Sequence, residues 1–151
     1  MSDVRRKLPG ALARPTARAE RFDHAAVART CALLTAAGFM GIAVVHLIDG
    51  PGSLSYELYI GVLELTLAAA SVPLAIALAI RPVRDLWIAA PAFAWLALGF
   101  YRASHSAGLS GSAADIGNGG QMLGIANMAT EVAVIALAVW ALRNRCGERR
   151  P

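Results

Sequence analysis

The sequence predicts an all-α integral membrane protein: a four-helix bundle threaded up-down-up-down, with both termini cytoplasmic. Three observations predict it. Of 151 residues, 57% are hydrophobic and 16% charged, a composition too apolar for a soluble domain of this length. Four apolar segments each approach the length needed to cross about 30 Å of hydrocarbon. Thirteen of the fourteen Arg and Lys residues fall on one side of that arrangement, and short loops rich in these residues stay cytoplasmic.

The elements follow in order. Residues 1–28 form a basic arm, expected to be partly disordered, that holds seven of the fourteen cations counting Arg29 beside it. The transmembrane domain occupies 29–143. Its first span runs from Thr30 to Ile48 and has no small-residue cleavage signal after it, so it is expected to be an uncleaved anchor. Asp49-Gly50-Pro51-Gly52 carries turn chemistry and predicts a loop. The second span, Tyr56 to Ile80, ends at the short loop Arg81-Pro82. The third, Leu86 to Tyr101, is short and contains Pro91, which a membrane helix tolerates when neighbours satisfy the freed carbonyl. A Gly/Ser/Ala-rich stretch from Ala103 to Asn118 exceeds what a hairpin needs and predicts an outer lid that includes Asp115. Asn118 and Gln121 form a capping-box pattern before the fourth span, Gly119 to Leu142. Residues 144–151 make a basic tail.

This placement puts the chain in the inner (plasma) membrane. The net charge of +4 then reflects topology and contact with anionic lipid, not nucleic-acid binding. Trp87 and Trp140 fall at the inner interface and Tyr56, Tyr59 and Tyr101 at the outer one, as aromatic belts do. Cys31 and Cys146 map to the reducing side without a C-x-x-C partner, which predicts neither a disulfide nor a metal knuckle.

Two acids stand out. Glu64 and Glu131 lie within membrane-length apolar segments, where a carboxylate costs roughly 2.5 to 3.5 kcal/mol on insertion scales if Glu behaves like Asp. Helical spacing places Glu57, Gly61, Glu64, Ala68 and Ser71 on one stripe of the second span. Gly120, Gly124, Asn127 and Glu131 make a similar stripe on the fourth. Small residues permit close approach and polar ones avoid lipid, so the two stripes are expected to face each other. Counted from the outer ends of their spans at 1.5 Å per residue, Glu64 is about 12 Å deep and Glu131 about 18 Å. The expectation is one shared acidic niche in which both acids are not ionised together.

Toward the outer side lie His46 and Asp49, Glu57, Arg102 and His105. Arg102 suits Glu57 or Glu64 as a counter-ion because its guanidinium forks onto a carboxylate. Trp95, seven residues before it on the same helical face, offers an aromatic wall for a flat, partly polar ligand. His46 and His105 are metal candidates, although no H-x-x-x-H or E-x-x-H spacing accompanies them.

From Tyr56 onward the order is E-L-Y-I-G in a glutamate-bearing helix, G-F-Y-R closing the next, a polar outer loop, and N-x-x-x-E in the last. This resembles the DoxX-like group of small four-helix membrane proteins, over roughly the last two thirds of the chain. The resemblance implies an association with membrane redox partners or quinones, with Glu57 or Glu64, Arg102 and Glu131 as the matching site. The first span departs from the pattern by offering His46. The expected function is therefore binding of a small amphiphilic ligand, a quinone or lipid-like molecule, by a non-enzymatic or accessory protein; a membrane enzyme using Glu and His as acid and base is a third reading. No nucleophile or cofactor motif is present for catalysis. The alternative is a proton-coupled transporter, for which four helices would need to oligomerise. Expected partners are membrane lipid and either further copies or a larger membrane complex.

Overall fold

The structure, a computed structural model, describes residues 17–106 and 122–147. Among these every element is helical: α1 (Ala17–Tyr56), α2 (Leu58–Ile80), α3 (Arg84–Ser106) and α4 (Met122–Gly147). Each contains a stretch long and apolar enough to cross a membrane: Ala26–Ser55, Leu58–Ile80, Arg84–Ala103 and Met122–Asn144. This is the pattern of a multi-pass membrane protein. The expected lid and capping box, with Asp115, Asn118 and Gln121, lie outside the described residues.

The largest departure from the sequence reading is α1. It does not stop at Ile48 but runs through Asp49-Gly50-Pro51-Gly52 to Tyr56. Turn propensity yields here to packing. Gly50 sits against α2 so closely that a Cβ on it would lie 2.9 Å from Leu65 Cδ2 and 3.6 Å from Glu64 Cβ. Gly61 on α2 is pressed onto Leu54 in the same way, with backbone nitrogen 2.5 Å from where a Cβ would stand. Two glycines, one on each helix, bring the backbones together. The chain then reverses at one extended residue, Glu57 (φ −143°, ψ 98°). Its N–H donates to the Ser53 carbonyl at 2.8 Å, and its carbonyl accepts from Ile60 at 3.0 Å and Gly61 at 3.2 Å. The helix ends thus satisfy each other without a loop.

Helix α1 packs extensively against both α2 and α4, and α3 packs against α4; α2 and α3 meet lightly, and α2 and α4 form no principal interface. The inward face of α1 runs through Ala32, Thr35, Phe39, Ile42 and His46, that of α4 through Asn127, Glu131, Val134, Ala138 and Ala141, all buried. Spacings of three and four residues are those of a helix burying one stripe. Phe39 meets Phe93 of α3 edge to face at 5.8 Å between centroids. Trp87, expected in the interfacial belt, instead fills the core at 0% exposure. Buried Thr35 and Ser71 return their hydroxyls to the carbonyls four residues back, Cys31 at 2.8 Å and Leu67 at 2.7 Å, so neither leaves an unsatisfied donor.

Candidate functional site

Glycine contacts also set the helix registers. Gly50 opposes Leu65 and Glu64, and Gly61 opposes Leu54, so residue numbers fall along α2 as they rise along α1. Gly38 lies against Val134, and Gly41 against Thr130 with a Cβ-to-methyl distance of 3.7 Å, so numbers fall along α4 as well. With α1 as a ruler, Glu64 stands opposite residue 50 and Glu131 opposite the stretch from 38 to 41. The offset is at least nine residues, about 14 Å along the helix at 1.5 Å each.

The expected shared niche is therefore corrected. The α2 and α4 stripes both turn inward, but α2 and α4 do not pack face to face. The acids differ in height because the hairpin of α1 and α2 extends past Met122, where the described part of α4 begins. Counting depth from span ends had treated those ends as level. The acids also differ in burial: Glu131 is completely buried and Glu64 half-buried.

Glu131 is the centre of the site. It lies at 0% exposure on the contact stripe of α4, with Asn127 one turn earlier at 2%. Asn127 Nδ2 donates to Glu131 Oε1 at 3.0 Å. That bond commits one atom of each side chain. Glu131 Oε2 and Asn127 Oδ1, both fully shielded, have no hydrogen-bond partner among the described residues. Each such atom costs roughly 1 to 3 kcal/mol if it stays unsatisfied. His46 Nε2 is a third atom of this kind, on a side chain 6% exposed. The sequence placed His46 at a hydrated interface; it lies instead on the buried face of α1, continuing the stripe Thr35, Phe39, Ile42 at helical spacing. Five residues beyond Gly41, His46 falls level with about residue 125 of α4, between Gly124 and Asn127.

Tyr101 is a neighbour that sequence reasoning had assigned to the interface alone. Its hydroxyl rests where a Cβ on Gly124 would have to be. Arg102, Asp49 and Glu131 all lie within electrostatic reach of that hydroxyl. The Tyr101 ring stacks on His105 at 4.1 Å and 26°. His105 Nδ1 donates to the Tyr101 carbonyl at 2.9 Å, which places the ring proton on Nδ1. The sequence signal was the lone glycine at 124, one residue short of a turn before Asn127.

The other expected site residues lie elsewhere. Trp95 is 61% exposed and so is not part of the buried core that holds Glu131. Arg102 is exposed at the end of α3. Glu57 is the hinge residue and lines a shallow open depression with Leu58, Tyr59, Val62, Leu63 and Thr66. Opposite the hinge, Glu131 lies more than fifteen residues away along α1, over about 20 Å. Among the described residues no three His, Cys, Asp or Glu side chains converge to hold a metal ion.

Fold and site together define a class: a small multi-helix membrane protein with a buried carboxyl-amide pair. The chain matches no protein-family model, no curated protein and no solved structure.

Proposed function

We propose that this multi-pass protein, threaded up-down-up-down with both termini in the cytoplasm, binds the polar head of a small amphiphile at Glu131 and Asn127. A quinone or a lipid-like molecule has the required chemistry, and service to a membrane redox assembly follows if the DoxX-like resemblance holds. One observation carries the reading: a completely buried glutamate whose Oε2 lacks a partner among the described residues. Intramembrane acids are costly and mark binding sites or proton relays. Asn127 commits one amide N–H to Glu131 Oε1, which leaves Asn127 Oδ1 and Glu131 Oε2 as the acceptors an incoming group would meet. A hydroxyl head can donate to either oxygen, and a carbonyl head can accept from Glu131 when that acid is protonated. An amphiphile supplies the remaining affinity through its tail, for which the lipid-facing surface offers ample apolar area.

The test is extraction of the protein purified in mild detergent, followed by mass spectrometry of what leaves it. We expect one class of amphiphile in the wild type, lost in Glu131→Gln and retained in Glu64→Gln. Identical extracts from all three overturn the proposal. Labelling of single cysteines placed in the two tails with a membrane-impermeant maleimide, on intact and opened cells, tests the orientation.

A further inference from the structure

Several polar groups of this bundle are ordered along its axis, while the buried hydroxyls of Thr35 and Ser71 and the shielded Glu64 Oε2 and Trp87 Nε1 lie apart from them. The ordered groups form a series at successive heights between α1, α3 and α4. Asp49 is exposed near the α2 end of α1. One turn deeper on that helix is His46, buried, with Nε2 shielded from solvent. At the same height across the bundle the Tyr101 hydroxyl sits on Gly124, within electrostatic reach of Arg102, Asp49 and Glu131. Below these come Asn127 and, bonded to it at 3.0 Å, Glu131. Three members, His46, Asn127 and Glu131, each carry one shielded atom with no partner among the described residues. Everything else at these heights on the buried faces of α1 and α4 is apolar or small: Phe39, Ile42, Ala43 and Val134.

We infer that His46, Tyr101 and Asn127 form a proton route connecting Glu131 to the end of the bundle where Asp49 is exposed. This rests on Glu131 being the working group of the proposed site and adds how its charge is set. Polar atoms buried at one-turn intervals are what bridging water molecules join, each making two to four hydrogen bonds. The step balances simply. A proton taken up by the imidazole of His46 leaves from its other ring nitrogen, so the ring returns to neutral. The proton then moves through the Tyr101 hydroxyl, which gives up one proton as it takes another, and through bridging water that Asn127 Oδ1 holds in place as an acceptor, and it ends on Glu131 Oε2. One proton moves from bulk water to the carboxylate, and nothing is oxidised or reduced.

The charged and titratable groups facing this route are known from each helix. Helix α1 supplies His46 and Asp49, and α3 supplies Tyr101, Arg102 and His105. Helix α4 supplies Glu131. Helix α2 supplies only Glu64, which stands at the height of Gly50 and therefore beside the entrance, not beside Glu131. The route opens at one end only. Inward of Glu131, the stripe of α4 continues as Val134, Ala138 and Ala141, and α1 offers Phe39 and Ala36, all buried and apolar. The single buried side-chain hydroxyl on α1 there, Thr35, is already bonded to Cys31. Protons thus reach Glu131 from the Asp49 end and not from the opposite one.

A pH-jump experiment on the full chain in lipid, followed by infrared absorption, tests the route without needing the ligand. The Glu131 carboxyl band is assigned by its loss in Glu131→Gln. We expect that band to respond in wild type and to respond at least about tenfold more slowly in His46→Gln, the scale on which removing a proton-transfer group acts. Tyr101→Phe, a smaller change at a less buried position, is expected to slow it too and serves as the test should His46→Gln fail to fold. Glu64→Gln is expected to leave the rate unchanged. Wild-type rates in folded His46→Gln and Tyr101→Phe overturn the inference, as does a Glu131 band that never responds between about pH 4 and about pH 10. An amphiphile that copurifies while the rates stay wild-type removes the route and leaves the binding site standing.

Discussion

The seam between α1 and α2 and the seam between α1 and α4 are built on the same device and reach opposite ends. Each brings a glycine of α1 against its partner, Gly50 against Leu65 and Gly38 against Val134. Each partner helix carries a glutamate in its apolar stretch. In the first seam close approach is reciprocal, since Gly61 also receives Leu54, and the acid is left half-buried near the end. In the second the acid lies on the contact stripe itself, completely buried beside an amide that partners only one of its oxygens. Equal residue type and equal local hydrophobicity therefore do not make equal sites. Register decides how deeply each acid is buried.

Breaking the first seam should have the largest effect on stability. In Gly61→Val the new Cβ meets the backbone nitrogen of Leu54, which a rotamer change cannot move, so a loss of about 3 kcal/mol is expected, at the upper end of overpacking costs. Denaturant unfolding in detergent micelles reads it. Gly124→Ala comes next. Its methyl displaces the Tyr101 hydroxyl, the far end of a side chain, and about 1 to 2 kcal/mol should be lost, along with the Tyr101–His105 stacking seen by near-ultraviolet dichroism.

The second seam sharpens the comparison with a change of opposite sign. Replacing both members in Asn127→Leu with Glu131→Leu removes two unpartnered buried atoms, so stability should rise by about 1 kcal/mol or more while the copurifying amphiphile disappears. A loss of stability would mean that the pair is a structural clamp. Glu64→Gln is expected to change stability by less than about 0.5 kcal/mol, because the amide keeps the shape of a side chain that is only half-buried. Smallest of all, Trp95→Leu on the exposed face should alter neither stability nor extracted ligand measurably.

Much of this arrangement was legible beforehand. The positions of the helices come from runs of apolar residues that bilayer thickness demands. Asn127 and Glu131 were legible as a polar stripe because a helix repeats every 3.6 residues, and both do turn inward. The stripe of α2 was legible too, with Gly61, Ala68 and Ser71 buried. What misled was local turn chemistry. Asp-Gly-Pro-Gly favours a loop in isolation, but here its glycines serve helix contact. Once α1 continues to Tyr56, the hairpin outreaches α4 and the heights of the two acids separate. Trp95 and Arg102 share a face of α3, as seven-residue spacing requires, and that face is exposed, apart from the buried core that holds Glu131.

By itself, then, the chain determined how many apolar helices form, where each lies, and that two of them carry an acid in their apolar stretch. These are properties of single segments, set by hydrophobicity and helical period. Only tertiary structure decided that Glu131 is completely buried and Glu64 half-buried, that His46 and Tyr101 stand at one height beside Asn127, and that α1 runs on through Pro51. Those depend on how far one helix slides along another. Interlocking of glycines with side chains on a different helix sets that distance, and no single segment encodes it.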